Sequence, residues 1–252
     1  MNAIGKRGQP GRRAAAALVV LAAGLVGAQP AERPPAEPAA GERIFIMADS
    51  MGELVFFGLK RQLASRDGVT VDGFISLGSG LARPDLFDWP AKLRSVMEAF
   101  HPTRVVIFIG TTDVQQMKSE DGILAFGAEA WKREYARRVE TILQICGEGR
   151  VRSGLWIGLP DVRDPQMNRD LKIINGLFQE AVAGRRDFSF LDTAGLFSPS
   201  PGTYSAYVVQ DNGMPLHVRS ADGKHFNTAG AEKLAREILD RLAPGSPPRA
   251  GP

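Results

Sequence analysis

From residue 43 to residue 242, two kinds of apolar pattern alternate along the chain. Ile44-Phe45-Ile46-Met47, residues 105–109 and residues 154–159 are continuous runs with no polar phase, which predicts strands buried on both faces. Residues 69–76 and 188–191 read as two more strands. Between them, apolar positions recur at helical spacing over residues 53–66, 90–100, 129–146, 168–183 and 228–242. Leu54, Phe57, Leu59 and Leu63 mark the inner face of the first helix, with Phe56-Phe57 as part of its core. Pro90 stands in the first turn of the second, where a missing N–H costs little. Asn227 or Thr228 caps the last. Continuously apolar strands separated by helices predict an α/β fold, a three-layer α/β/α sandwich with a five-stranded parallel sheet. One insertion breaks the alternation. Residues 206–209, then Asp211-Asn212-Gly213, then residues 216–218 predict a β-hairpin with a tight Asn-Gly turn, placed to wall any site near Asp222.

The ends of the chain follow neither pattern. Residues 1–28 read as an export signal: Lys6, Arg7, Arg12 and Arg13 precede an unbroken small and apolar run, and Val26-Gly27-Ala28 resembles a cleavage site. The apolar run is short of the roughly 20 residues of a membrane span, and a retained N-terminal anchor is the alternative. Residues 29–41 form a Pro/Ala-rich linker and residues 244–252 a similar tail. Residues 42–243 are left as one domain, long enough to bury a core. The expected location is periplasmic or secreted, with membrane contact only through the N-terminal segment if it is uncleaved.

Composition narrows the chemistry. The net charge is +3, part of it in the signal, and no basic stripe carries interleaved aromatics, so nucleic acid is not expected as a partner. With one cysteine, Cys146, no intrachain disulfide forms; it reads as an inert packed thiol. Three histidines without His-x-x-x-His spacing offer no metal site, and no cofactor is expected.

What remains is acid–base chemistry. In Asp222-Gly223-Lys224-His225 a carboxylate three residues before a histidine reaches back to the imidazole Nδ1–H and leaves Nε2 free to take a proton. A nucleophile is available in Ser50, where the first strand runs out. In open parallel sheets, ligands sit at the carboxyl ends of the strands. There the chain supplies Asp49 and Ser50, then Gly78-Ser79-Gly80, then Gly110-Thr111-Thr112-Asp113.

These blocks carry a family resemblance. Ala48-Asp49-Ser50-Met51, Ser79-Gly80, Gly110-Thr111-Thr112-Asp113 and Asp222-Gly223-Lys224-His225 resemble, in order and spacing, the four blocks of the SGNH (GDSL-like) hydrolases, over residues 43–242. Arg83-Pro84-Asp85 and Asp88-Trp89-Pro90 further resemble an exported bacterial branch known as a domain of unknown function. The resemblance implies a flavodoxin-like fold and a serine esterase. Ser50, Asp222 and His225 would be its catalytic residues, and the Ser50 and Gly80 amides with Thr112 its oxyanion donors. The substrate would be a small acyl ester, O-acetyl groups of an envelope polysaccharide being the natural class. Arg83 and Trp89 are candidate substrate contacts. Two positions depart from the family: Ala48 replaces a glycine, and Thr112 replaces the asparagine whose amide donates to the oxyanion.

Plainer readings stand beside these. Ser50 could cap the following helix. Arg83 could pair with Asp85 or Asp88, and Trp89 could be packing. Asp49 and Asp113 read as structural, Asp49 fixing its own turn and Asp113 the loop after the third strand. An O-acyltransferase with the same triad, or a non-catalytic carbohydrate- or partner-binding protein on the same fold, would use the same residues differently.

Overall fold

The computed structural model describes residues 41–120, 122–200 and 202–242. The expected signal segment 1–28 and tail 244–252 lie outside the described residues, as does the linker 29–41 except for Gly41.

The first apolar run forms β1 (Glu42–Ala48), whose inner five residues are buried. A single 3-10 turn, Ser50–Gly52, leads into α1 (Glu53–Leu63), and the chain returns as β2 (Val69–Ile75). α2 (Trp89–Ala99) and β3 (Arg104–Phe108) follow, then a short hairpin of β4 (Met117–Ser119) and β5 (Gly122–Leu124). α3 (Glu129–Glu148), β6 (Ser153–Ile157), α4 (Pro165–Val182), β7 (Phe188–Leu191) and a one-turn α5 (Ala194–Phe197) complete the alternation. The hairpin β8 (Tyr207–Val209) and β9 (Pro215–His217) then precedes α6 (Thr228–Leu242).

The five long strands are parallel, in the order β2-β1-β3-β6-β7, as expected. The order reverses at β1, so the crevice beside its carboxyl end is where such sheets bind ligands. Ala48, the last residue of β1, is in register with Ile75 on one side and Phe108 on the other. Three polar loops therefore leave the sheet at the same level. α1 packs against α6, and α2, α3 and α4 run side by side. Gly58 permits the α1–α6 approach: a Cβ there would lie 3.2 Å from that of Ala235.

The boundaries differ from expectation in instructive ways. α4 starts at Pro165 rather than 168, because the Asp164 carboxylate accepts from the Met167 N–H and Pro165 fills the first helical position. Asn168 is consequently inside the helix and buried; its amide ties Val162 N–H to the Gly202 carbonyl. α1 turns its Val55, Gly58, Leu59 and Leu63 face inward, leaving Leu54 38% and Phe57 48% exposed. The apolar stripe thus runs one residue out of the expected phase, and Phe57 is not core. β8 and β9 pair as predicted. Their turn is wider than a two-residue loop: the Gln210 N–H donates to the Met214 carbonyl, and Gly213 adopts φ +78°. The β4–β5 hairpin and α5 were not anticipated, three- and four-residue elements being too short to show a period.

Candidate active site

The chain leaves β1 at Ala48 and turns sharply. Ala48 has no left-handed backbone, that conformation being confined among the described non-glycine residues to His101 and Arg150, so alanine is accommodated where the family has glycine. The turn is organised by Asp49, which is fully buried. Its Oδ1 accepts from Met51 N–H at 2.8 Å. Its Oδ2 accepts from the amides of Gly110 and Thr111, at 3.1 and 3.0 Å, and from the Thr111 hydroxyl at 2.8 Å. Burial pushes the Asp49 carboxyl above its ordinary value, and these donors pull it part of the way back. Asp49, not Ser50, is the side-chain cap of this turn, and Gly52 precedes α1 without a side-chain cap.

Ser50 is thereby left with its side chain free to face the last loop. Its Oγ lies 2.9 Å from His225 Nε2. His225 Nδ1 lies 2.6 Å from Asp222 Oδ2, and Asp222 Oδ1 accepts from the amides of Lys224 and His225 at 2.8 and 3.0 Å. Desolvation acts to raise the Asp222 carboxyl, but the bonds from the imidazole and the two amides outweigh it, and the carboxyl falls to about 2. An ionised Asp222 accepting from Nδ1–H fixes the tautomer in which Nε2 can accept the Ser50 proton. Residues 175 positions apart in the chain thus lie in hydrogen-bonding sequence, within the reach expected of a nucleophile, a base and an orienting acid.

The opposite edge is the turn after β2. Asp113, fully buried, reaches across from the loop after β3. It accepts from Leu81 N–H and Ala82 N–H at 2.8 Å each and from the Tyr135 hydroxyl at 2.7 Å. Burial raises the Asp113 carboxyl and carries the Tyr135 phenol well above its usual value. Gly80 is required by proximity: a Cβ there would sit 2.1 Å from Asp113 Oδ1. The Ser79 N–H goes to the Ser76 carbonyl, so among the described residues Gly80 N–H is the amide of residues 79–82 that no protein acceptor engages.

Other expected site residues sit differently. The Thr112 Oγ1 donates its one hydrogen to the Ser79 carbonyl at 2.7 Å, so in this structure Thr112 braces the turn and presents no third oxyanion donor. Arg83 forms a bidentate pair with Asp85, at 2.8 and 2.7 Å, which occupies the guanidinium fork. Trp89 is 0% exposed, donates Nε1–H to Ser79 Oγ at 3.1 Å and packs edge-on against Phe87. It is packing beneath the turn, with no face open for a sugar to stack on. Cys146 is buried, its thiol pushed up to about 12 by desolvation. Among the described residues no group of three or more His, Cys, Asp or Glu side chains is arranged to hold a metal ion, and no helix is long and apolar enough to cross a membrane.

Two arginines that sequence reasoning passed over belong to this site's surroundings. Arg219 is fully buried, its guanidinium 4.4 Å from the Phe226 ring centre. Arg163 stands at the surface in the loop after β6. Both hydrogen-bond to carbonyls of the loop that carries Asp222 and His225.

A five-stranded parallel sheet in this order, with these loops at its carboxyl edge, is the fold of the SGNH hydrolases. A putatively assigned SGNH hydrolase structure from Slackia heliotrinireducens superposes with a TM-score of 0.56 at 17% identity, over 81% of this chain and 100% of that one. A carbohydrate esterase family 3 protein from Talaromyces cellulolyticus gives 0.51 at 13% identity, over 80% and 96%. The C-terminal catalytic domain of Streptococcus pneumoniae peptidoglycan O-acetyltransferase A gives 0.50 at 12% identity, over 81% and 93%. Identities this low establish the fold alone. The chain belongs to the family described as Protein of unknown function (DUF459), whose model matches residues 43–241. No curated protein matches the sequence.

Proposed function

We propose that this protein is an exported serine esterase that removes small acyl groups, O-acetyl above all, from a cell-envelope polysaccharide. The observation that carries the reading is the continuous hydrogen-bonded line from Ser50 Oγ through His225 to Asp222. Ser50 Oγ attacks the ester carbonyl as Nε2 of His225 takes its proton; Asp222 stays ionised and supports the imidazolium. The amides of Gly80 and Ser50 donate to the developing oxyanion. The tetrahedral intermediate collapses as His225 returns the proton to the leaving alkoxide, leaving an acyl group on Ser50. Water, deprotonated by the same imidazole, then releases the acid and regenerates the serine.

The substrate class rests on analogy with the fold neighbours that are a carbohydrate esterase family 3 protein and a peptidoglycan O-acetyltransferase catalytic domain. Export rests on the reading of residues 1–28. The test is labelling with a fluorophosphonate alongside turnover of acetyl esters. Wild type should label and hydrolyse, and Ser50→Ala should do neither, a loss of about 10⁴-fold or more. A folded wild type that neither labels nor cleaves any short-chain ester refutes the proposal. Adding a glycan acceptor decides the last step: acetic acid as the sole product supports the esterase, whereas acetylated glycan would make the protein a transferase.

A further inference from the structure

The loop that presents Asp222 and His225 is closed on itself. The Ser220 N–H donates to the His225 carbonyl at 2.8 Å, the Gly223 N–H to the Ser220 carbonyl at 3.1 Å, and Arg219 and Phe226 form an isolated antiparallel bridge. Those bonds shape the loop but do not attach it to the sheet. Attachment comes from the segment after β6. The Arg163 N–H donates to the Gly223 carbonyl at 2.9 Å, and Arg163 Nη1 to the Ala221 carbonyl at 3.0 Å. Arg219 Nη1 donates to the Lys224 carbonyl at 3.1 Å, while its Nη2 donates to the Asp161 carbonyl at 2.9 Å. Three carbonyls flanking Asp222 and preceding His225 are therefore held from one side.

The placement of Arg219 carries a cost. The Arg219 guanidinium is buried without a carboxylate bonded to it, and its Nε–H has no hydrogen-bond partner. Three aromatic faces surround it, Phe226, Tyr204 and Phe197, at 4.4, 5.7 and 5.8 Å. A buried cation with an unsatisfied donor is expensive, and an apolar residue would fill the space more cheaply. What only a guanidinium supplies there is a planar fork that joins two backbone segments at once. Gly223 lies directly beneath Arg163: a Cβ there would be 2.6 Å from that of Arg163. The loop and the arginine are thus fitted to each other at van der Waals distance.

We propose that Arg163 and Arg219 are positioning residues that clamp the acid–base loop onto the segment after β6 and so hold His225 Nε2 in line with Ser50 Oγ. The inference deepens the esterase reading and rests on it for its catalytic meaning, but the clamp itself has a readout that needs no turnover. The short His225–Asp222 bond should give a far-downfield Nδ1 proton in the NMR spectrum, assignable by its loss in Asp222→Asn.

Arg163 is exposed, so Arg163→Ala should fold. It should lower kcat about tenfold with KM within about twofold, and broaden or shift the Nδ1 proton, since small misplacements of a catalytic group cost up to about 10²-fold. Arg219→Lys keeps the charge but loses the fork; it should lower kcat about 10²-fold and not rescue the NMR signal. If Arg219→Lys fails to fold, Arg163→Ala decides alone. Wild-type kcat together with an unchanged Nδ1 proton in folded Arg163→Ala overturns the clamp. An inactive wild type that shows the downfield proton, and loses it in Arg163→Ala, overturns the esterase reading while leaving the clamp standing.

Discussion

The turn that carries Gly80 is gathered around a carboxylate, whereas the loop that carries Asp222 and His225 is gathered by guanidinium groups. Buried Asp113 draws in N–H donors from Leu81 and Ala82, and its neighbour Asp49 does the same for Met51, Gly110 and Thr111. Arg163 and Arg219 instead draw in C=O acceptors. On the proposed esterase reading, the difference follows from what each edge would offer a substrate. An edge that leaves the Gly80 amide free for an oxyanion would be fixed by engaging the amides around it. An edge that presents a basic nitrogen would be fixed by its carbonyls, which leaves the amides of Lys224 and His225 to bond Asp222.

The largest expected effect comes from breaking the anionic edge. Asp113→Asn sets an NH₂ against one of three donors in a fully buried place, leaving at least one unsatisfied. The expected cost is about 2–3 kcal/mol, measurable as a shift in the urea unfolding midpoint. Tyr135→Phe removes a single donor to the same carboxylate and should cost about 1 kcal/mol. Asp113→Asn should also depress kcat, because the Gly80 amide loses the anchor on its flank. If Asp113→Asn proves as mild as Tyr135→Phe, the carboxylate is not the centre of this edge.

Gly223→Ala is the matching break on the cationic edge. The residue sits at φ +72°, where a Cβ is strained, and the added carbon meets Arg163. The expected destabilisation is about 1–2 kcal/mol, with kcat falling at nearly constant KM. Combining it with Arg163→Gly, which removes the Cβ it meets, relieves the clash but not the backbone strain, so the double variant should be more stable than the sum of the two predicts. Strict additivity would show that the loop and Arg163 are not fitted to each other.

How far these edges were legible depends on distance along the chain. Asp222 and His225 are three residues apart, and Ser50 stands at the end of a strand whose continuous apolar run announces it. A doubly covered strand must be apolar throughout, so the three central strands could be read from their continuous runs. The half-covered edge strands β2 and β7 carry polar residues such as Asp72 and Ser189, and could be read from their β-branched and aromatic content and their place between helices. The scaffold of the site could not. Asp113 meets amides 31 and 32 residues away, and Arg219 meets a carbonyl 58 residues away. Nothing local distinguishes such an arginine from a solvated one, because its burial is created by Phe197, Tyr204 and Phe226 folding around it. Thr112 misled for a related reason. Its alignment with an asparagine was visible, but its hydroxyl is taken by a carbonyl 33 residues back.

Thr112 gives a smaller effect that sharpens the oxyanion side. Thr112→Val removes the donor to the Ser79 carbonyl and should lower kcat about tenfold, with a stability loss of about 1 kcal/mol. Thr112→Asn restores a longer donor at the same position and should keep or raise kcat. A large loss in Thr112→Asn would mean that the short brace to Ser79, rather than donation to the oxyanion, is what this position must supply.

The smallest effect, and the most direct contrast between the edges, is the sign of their pH dependence. The Asp222 carboxyl lies at about 2, below the ordinary unfolded value near 4, so the stability it contributes is in place above about pH 4 and is lost as pH falls through about 2. Its side chain is 48% exposed, so solvent screens the contribution and keeps it small. Asp113 is raised by burial, so its contribution runs the other way: it is full below the unfolded value and is lost as pH rises through the folded one. Urea midpoints followed from neutral pH downward should therefore show two opposite trends. The gap between wild type and Asp222→Asn should close as pH drops below about 4, while the gap between wild type and Asp113→Asn should widen on the way down to about 4. Parallel trends would mean that the two carboxylates share one environment, and the contrast between an anion-centred and a cation-held edge would not survive.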